Sequence, residues 1–341
     1  MGSIGKILAA LVAAGYLLVC CLVAGMAIVA VLGFIYPAMD LFNHIQPVLF
    51  FGLLALLVAS PVFVRFRALR ALALSIAATG FVASSAIYIP ELVTGLVTRT
   101  TVAQAEQTYR LMTFNVFGRN EEPEAIVANI TGVDPDIVAL QEYSPGLRSV
   151  VHPLLTERYP HFQYCAGGER AFVGLYSRLP FEPLDADACS SSIMSTDRTA
   201  RIIVRFQTEA GPAFSLATNH NDWPAPVTRQ AEQFATLREA LSTVEPPLIL
   251  VGDFNSTPWS YALRGFVSAA GMMRHTYNLP TFPTLWYYLR DWRAMFPILP
   301  IDHVMTRGAI AIHDLRTGEP SGSDHLPIIV DFSVEGEGEG P

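Results

Sequence analysis

Lysine is almost missing from this chain: Lys6 is the only one in 341 residues, and the other basic residues are all arginines. Charge of either sign is scarce, at 15% of residues where an ordinary soluble domain carries about 25%. Only four cysteines occur over this length, which excludes a small disulfide scaffold. The 51% hydrophobic content excludes a disordered chain, and a wholly soluble protein is hard to reconcile with it. What is there instead is a strongly uneven distribution of apolar residues.

Positions 7 to 39 contain no Asp, Glu, Lys, Arg or His, and neither do positions 71 to 90. Between them lies an apolar run from Val48 to Val64. A membrane-spanning helix needs roughly 20 mostly apolar residues, so residues 1–95 are expected to form a membrane domain of three transmembrane helices. The first run is far longer than the apolar core of a cleaved signal, about 7–15 residues. The loop between the first two runs has no Lys or Arg, whereas the next carries Arg65, Arg67 and Arg70. The positive-inside rule therefore puts the amino terminus and the second loop in the cytoplasm. Three spans then carry the rest of the chain to the periplasmic or extracellular side, and an inner or cell membrane is the expected location. Only a stalk of residues 96–108 separates the third span from the domain on the far side.

Beyond residue 95 there are 18 arginines against 28 acidic residues, a balance near −10. Glu335, Glu337 and Glu339 of the acidic Gly-Glu tail (334–341) supply three of these. Such a domain is a poor non-specific binder of nucleic acid, whose affinity comes mainly from phosphate neutralisation. Cys20 and Cys21 fall inside the first span. Cys165 and Cys189 meet an oxidising compartment if the orientation holds, and either a disulfide or two thiols fits.

From Tyr109 the texture changes to short apolar runs between polar turns. Residues 110–115, 136–141, 171–177, 200–206, 213–219, 247–252, 301–305 and 326–332 read as strands, several rich in Val, Ile and Phe. Residues 123–130 and 227–241 read as helices, the latter with Ala231, Phe234, Leu237 and Leu241 on one stripe. This predicts one α/β domain over 109–333, with mixed sheets and flanking helices.

Polar residues gather at the carboxyl ends of those strands, where open sheets bind their ligands. In order they are Asn115, Gln141-Glu142, Asn219-His220-Asn221, Gly252-Asp253-Phe254-Asn255, Asp302-His303 and Ser323-Asp324-His325. Carboxylates and amides without a cysteine cluster suit a hard cation such as Mg²⁺. Each element alone is weak, since a Gln-Glu pair is usually a solvated turn and a lone His is usually structural. Their joint occurrence in this order resembles the endonuclease/exonuclease/phosphatase superfamily, over about 109–333.

The resemblance implies a four-layer sandwich, two packed mixed β-sheets flanked by helices, and hydrolysis of a phosphoester with Mg²⁺ or Mn²⁺. It implies Glu142 as metal ligand with Asn115 and Asp324 near it, and Asp253 orienting or deprotonating the attacking water. Asn255 and His325 would contact the phosphate, with Asp302 fixing the His325 tautomer. His220 would contact the phosphate or assist the leaving group. Glu169 is a looser match to a carboxylate partnering that histidine, and Arg201 to a phosphate-binding arginine. The substrate stays open. An aromatic loop from Thr281 to Pro297 could be a substrate wall, a membrane-dipping edge, a base-stacking platform or ordinary packing. Tethering and acidic balance favour a lipid or small phosphodiester over DNA. The alternatives are an extracytoplasmic nuclease of the DNase I type and a catalytically inactive binding module. No protein partner is evident.

Overall fold

The computed structural model describes residues 3–63, 65–98, 107–167, 170–184, 199–208, 211–286, 292–293 and 296–335. Expectations for Glu169, Cys189, most of the stalk and the end of the acidic tail therefore fall outside the described residues. The chain forms two compact units. One comprises Met1–Leu96 with Trp259–Arg264, the other Val97–Pro258 with Gly265–Pro341.

The first unit is built on helices α1 (Ser3–Val31), α2 (Gln46–Ala59) and α3 (Arg67–Val97). With the 3₁₀ turns that extend them, they give three helical segments, Ser3–Phe34, Pro37–Phe63 and Arg67–Val97, each long and apolar enough to cross a membrane. Small residues let the helices approach closely, as helices in lipid must when no solvent drives them together. Ala73, Ala77 and Gly80 of α3 are buried with Cys20, Ala24 and Ala27 of α1. A Cβ on Gly80 would come 2.5 Å from that of Ala24. A chain of buried polar side chains runs through this unit. Ser84 donates to Gln46 (2.7 Å), Gln46 to Asn43 (2.9 Å) and Asn43 to Asp40 (2.7 Å). Asp40 also accepts from the Ser260 hydroxyl and from the backbone N–H groups of Tyr261 and Ala262, at 2.8, 2.9 and 3.0 Å.

The second unit is a pair of six-stranded mixed sheets. The first sheet has the order β13-β14-β1-β2-β4-β3, from β1 (Tyr109–Asn115), β2 (Ile137–Gln141), β3 (His161–Cys165), β4 (Val173–Ser177), β13 (Ile310–Thr317) and β14 (Ile328–Val334). The second has the order β5-β6-β7-β8-β12-β9, from β5 (Phe181–Pro183), β6 (Ala200–Phe206), β7 (Phe214–His220), β8 (Leu248–Asp253), β9 (Met273–Arg274) and β12 (Asp302–Arg307). A short ribbon, β10 (Leu285–Trp286) and β11 (Trp292–Arg293), stands apart. The core cluster draws Leu111, Ile137, Leu175 and Val330 from the first sheet and Ile202, Leu216, Ile249 and Val304 from the second. A further cluster packs the other face of the first sheet, through Met112, Phe114, Val138 and Leu140, against Ile126 and Ile130 of α4 (Pro123–Val133) and Leu147, Val151 and Leu155 of α5 (Pro145–Thr156).

Each sheet contains one parallel pair, β1 with β2 and β7 with β8. A parallel pair requires a crossover, which α4 supplies in one and α6 (Val227–Ser242) in the other. Each crossover sets two strand carboxyl ends side by side: Asn115 opposite Gln141, and His220 opposite Asp253. Antiparallel β12 adds Asp302 opposite Asp253 from the other side. The eight strands expected from the sequence are all present, within two residues at most ends. The helix α5, the helix α7 (Tyr261–Ala269) and strands β3, β5, β9, β10, β11 and β13 are additions.

Candidate active site

The two strand-end clusters meet through Asp253. Asn115 on β1 donates its amide N–H to Asp253 Oδ2 at 2.9 Å, joining the first sheet to the second. His220 Nε2 lies 3.5 Å and His325 Nε2 3.8 Å from the same oxygen. The Asn255 backbone N–H donates to the other oxygen at 2.7 Å. Beneath this hub Gln141 is wholly buried and bonds Thr113 of one sheet and Thr218 of the other. The Gln-Glu pair thus divides its work: Gln141 ties the layers and Glu142 faces the site.

Local backbone conformation aims these groups. Glu142 and Asn255 both have left-handed φ, 52° and 46°, a conformation that L residues adopt at a cost and that recurs at functional sites. Gly252 has φ 142°, and a Cβ there would sit 2.1 Å from the Asn219 carbonyl oxygen, so no other residue fits between β7 and β8. The Asn255 amide then donates to the Asn221 carbonyl at 2.9 Å and stands 3.3 Å from His220 Nε2.

Two electrostatic groups can be told apart. In one, His325 Nδ1 meets Asp302 Oδ2 at 2.8 Å, and Thr281 donates its hydroxyl to that same oxygen at 2.5 Å. Burial opposes charge on His325, but Asp302, Asp253 and Asp324 around it prevail and push its pKa up to about 10. Burial, reinforced by the charge of Asp302, raises Asp253 to about 7. His220 is the opposite case: burial, with Arg170 nearby, lowers it to about 4. Its buried Nδ1 has no hydrogen-bond partner among the described residues, and Glu169 lies outside them.

The second group is Glu142, Asn115 and Asp324. Glu142 accepts from the Gly118 N–H at 2.9 Å and approaches the Asn115 amide at 3.4 Å. Its side chain keeps 30% exposure, in contrast to 1% for Asp253. Burial, and the charge of Glu142, raise Asp324 to about 6 against the pull of His325. Burial acts on Glu142 too, but the nearby histidines and the Gly118 N–H outweigh it and leave Glu142 below its usual range, so the shift of Asp324 is not mutual. An ionised carboxylate, a second carboxyl and an amide side by side fit a hard divalent cation. Asp253, Asp302 and His325 also place donor atoms within 4.8 Å of one another, close enough for an ion. There, however, the imidazolium already supplies the positive charge, and its Nδ1 is engaged by Asp302.

Arg201 is buried on β6 opposite Asn219 in the β6–β7 register. Phe282, at the start of the aromatic loop, packs 4.9 Å from the His325 ring, and Trp223, 42% exposed, packs on Phe282 at 5.9 Å. The middle of that loop lies outside the described residues. Sequence reading missed Thr281 as the partner of Asp302. It also missed Asp222, which Arg170 and Arg229 hold just beyond His220.

A family model described as the endonuclease/exonuclease/phosphatase family matches residues 112–325. Among solved structures, an endonuclease/exonuclease/phosphatase from Bacteroides vulgatus is 17% identical with a TM-score of 0.55, covering 67% of this chain and 100% of its own. One from Beutenbergia cavernae is 19% identical with a TM-score of 0.51, covering 68% and 72%. The catalytic domain of human Nocturnin is 18% identical with a TM-score of 0.50, covering 67% and 95%. At these identities the likeness is one of fold. No curated protein matches the chain.

Proposed function

The chain belongs to the endonuclease/exonuclease/phosphatase family, whose members hydrolyse phosphoester bonds, and from that premise we propose a membrane-anchored, Mg²⁺-dependent phosphodiesterase or phosphatase acting on a lipid or small phosphodiester outside the cytoplasm. The observation that carries this reading is the hub at Asp253, where a buried carboxylate, two histidines of opposite electrostatic character and two amides converge beside a more open carboxylate pair.

Glu142 and Asp324 would hold the cation, with the Asn115 amide beside them, and the ion would neutralise developing charge on the phosphate and leaving oxygens. Asp253, raised to about 7, is poised to orient the attacking water and take its proton near neutral pH. The Asn255 amide, fixed by the left-handed turn, donates to a phosphate oxygen. His325 presents a positive charge to the same phosphate at neutral pH because Asp302 holds its Nδ1 and Thr281 holds Asp302. Neutral His220 contacts the phosphate or the leaving oxygen, and Arg201 adds positive charge from β6.

The substrate reading rests on the absence of lysine beyond Lys6 and on the acidic excess of the outer residues. Duplex DNA needs several cationic phosphate contacts, whereas a tethered enzyme meets lipid head groups at high local concentration. The test uses the full chain in nanodiscs with a phospholipid-derived diester and duplex DNA at about 0.15 M salt. Faster cleavage of the diester is expected, with both activities lost in EDTA and in Asp253→Asn. DNA cleaved faster by about tenfold or more would favour the nuclease. Turnover surviving in chelator would sink the metal-dependent reading. A phosphatase reporter fused after residue 341 should be active outside the cytoplasm, and one fused at Arg67 should not.

A further inference from the structure

Asp302 and His303 are neighbours in sequence, but on a strand they point to opposite faces. Asp302 joins His325 in the site, and His303 goes elsewhere. It is wholly buried, with Nε2 2.8 Å from the Ser256 carbonyl oxygen and Nδ1 2.8 Å from the Thr276 hydroxyl. Its ring packs 5.6 Å from that of Phe254. A carbonyl only accepts, so Nε2 must carry the proton, and Nδ1 accepts from Thr276. Both polar atoms of the ring are thereby satisfied in one tautomer.

The carbonyl it grips belongs to the residue after Asn255, whose left-handed backbone aims its amide at the site. The preceding carbonyls, of Phe254 and Asn255, share the Gln230 amide of α6 at 3.4 and 3.3 Å, which also donates to the Asp222 carbonyl at 2.9 Å. Three consecutive carbonyls of the turn are thus held from outside it, two by Gln230 and one by His303. We propose that His303 is a positioning residue for phosphoester hydrolysis, clamping the Ser256 carbonyl so that the strained turn keeps the Asn255 amide on the reacting phosphate and the Asp253 carboxylate on the attacking water. Burial keeps the ring neutral, its pKa lowered to about 3, so the clamp does not switch off across the working pH range.

The inference rests on the hydrolase reading above. The test compares His303→Leu with His303→Gln in the full chain, because a glutamine N–H reaches about as far as Nε2. Misplacement of about 1 Å can cost about 100-fold, so His303→Leu should lose about 30-fold in kcat with KM and the Mg²⁺ requirement little changed, and His303→Gln should recover most of it. Hydrogen exchange supplies a readout independent of activity: in His303→Leu, peptides covering 254–258 should exchange faster while those of β1 and β2 do not. Equal losses in the two variants, a KM effect with kcat kept, or faster exchange across the whole unit would overturn the clamp. If His303→Leu fails to fold, Thr276→Val, which removes the hydroxyl partner of Nδ1, should give the same kcat and exchange pattern at smaller amplitude, and an unchanged kcat there would overturn it. If the wild type shows no metal-dependent hydrolysis, the hydrolase reading fails, and the proposal falls with it even where the exchange result holds.

Discussion

Two carboxylate groups lie within one site and solve the same electrostatic problem differently. Asp253 and Asp302 are buried together, and the charge they concentrate is met internally by His325, whose pKa they drive up to about 10. Glu142 and Asp324 have no cation hydrogen-bonded to them among the described residues: His220, 3.9 Å from Glu142, is held neutral by burial, and His325, 4.0 Å from Asp324, gives its Nδ1 to Asp302. The first group is electrostatically closed and the second is open. A closed group can present an imidazolium and a base; an open one needs a cation from solution. On this difference rests the proposal that a metal binds at Glu142 and Asp324.

The largest expected effect breaks the closed group. Asp302→Ala and His325→Ala should each lower kcat by about 100-fold, the scale of a positioned charge or acid–base group. Because the two residues act as a unit, the double variant should be little worse than either single one. Fully additive losses would show that His325 does not depend on Asp302. Thr281→Val removes the other bond to Asp302 Oδ2 while leaving the dyad in place, and should cost about 3- to 10-fold, as the loss of one hydrogen bond worth about 1 kcal/mol would. No change in kcat would mean that Thr281 does not orient the carboxylate.

The smallest effect supplies a control for burial without carboxylates. His275 bonds Thr306, and burial, with Arg274 beside it, lowers its pKa to about 4. Between about 4 and the unfolded value of about 6.5 the folded state therefore binds fewer protons than the unfolded one, and stability is lost as pH falls through that window. His275→Asn removes this term, so the Tm advantage of the wild type over the variant should shrink by about 3 °C from pH 7 to pH 4. A pH-independent difference would refute burial as the cause.

Much of this was readable in the sequence, for identifiable reasons. Buried strands such as β2 and β8 are continuous runs of Val, Ile and Leu, and their polar carboxyl-terminal residues stand out against them. β13 was not readable because every one of its residues is at best half-buried, and His313, Asp314 and Arg316 break its apolar pattern. The helix α5 carries Pro153 in its interior, which reads as a breaker. The motif order located Asp253, Asp302 and His325, but not Thr281, which reaches Asp302 from 21 residues away and carries no charge to mark it. Nor does sequence separate Asp302 from His303; only strand alternation in the folded sheet sends one to the site and the other beneath the turn.

The most direct measurement of the central distinction is binding of Mn²⁺ to the full chain at pH 7, in the wild type, Glu142→Gln and Asp302→Asn, without substrate. If the open group holds the cation, Glu142→Gln should weaken binding by about tenfold or more while Asp302→Asn stays within about threefold of wild type. The reverse pattern, with Asp302→Asn abolishing binding and Glu142→Gln leaving it intact, would place the ion among Asp253, Asp302 and His325 and contradict the account.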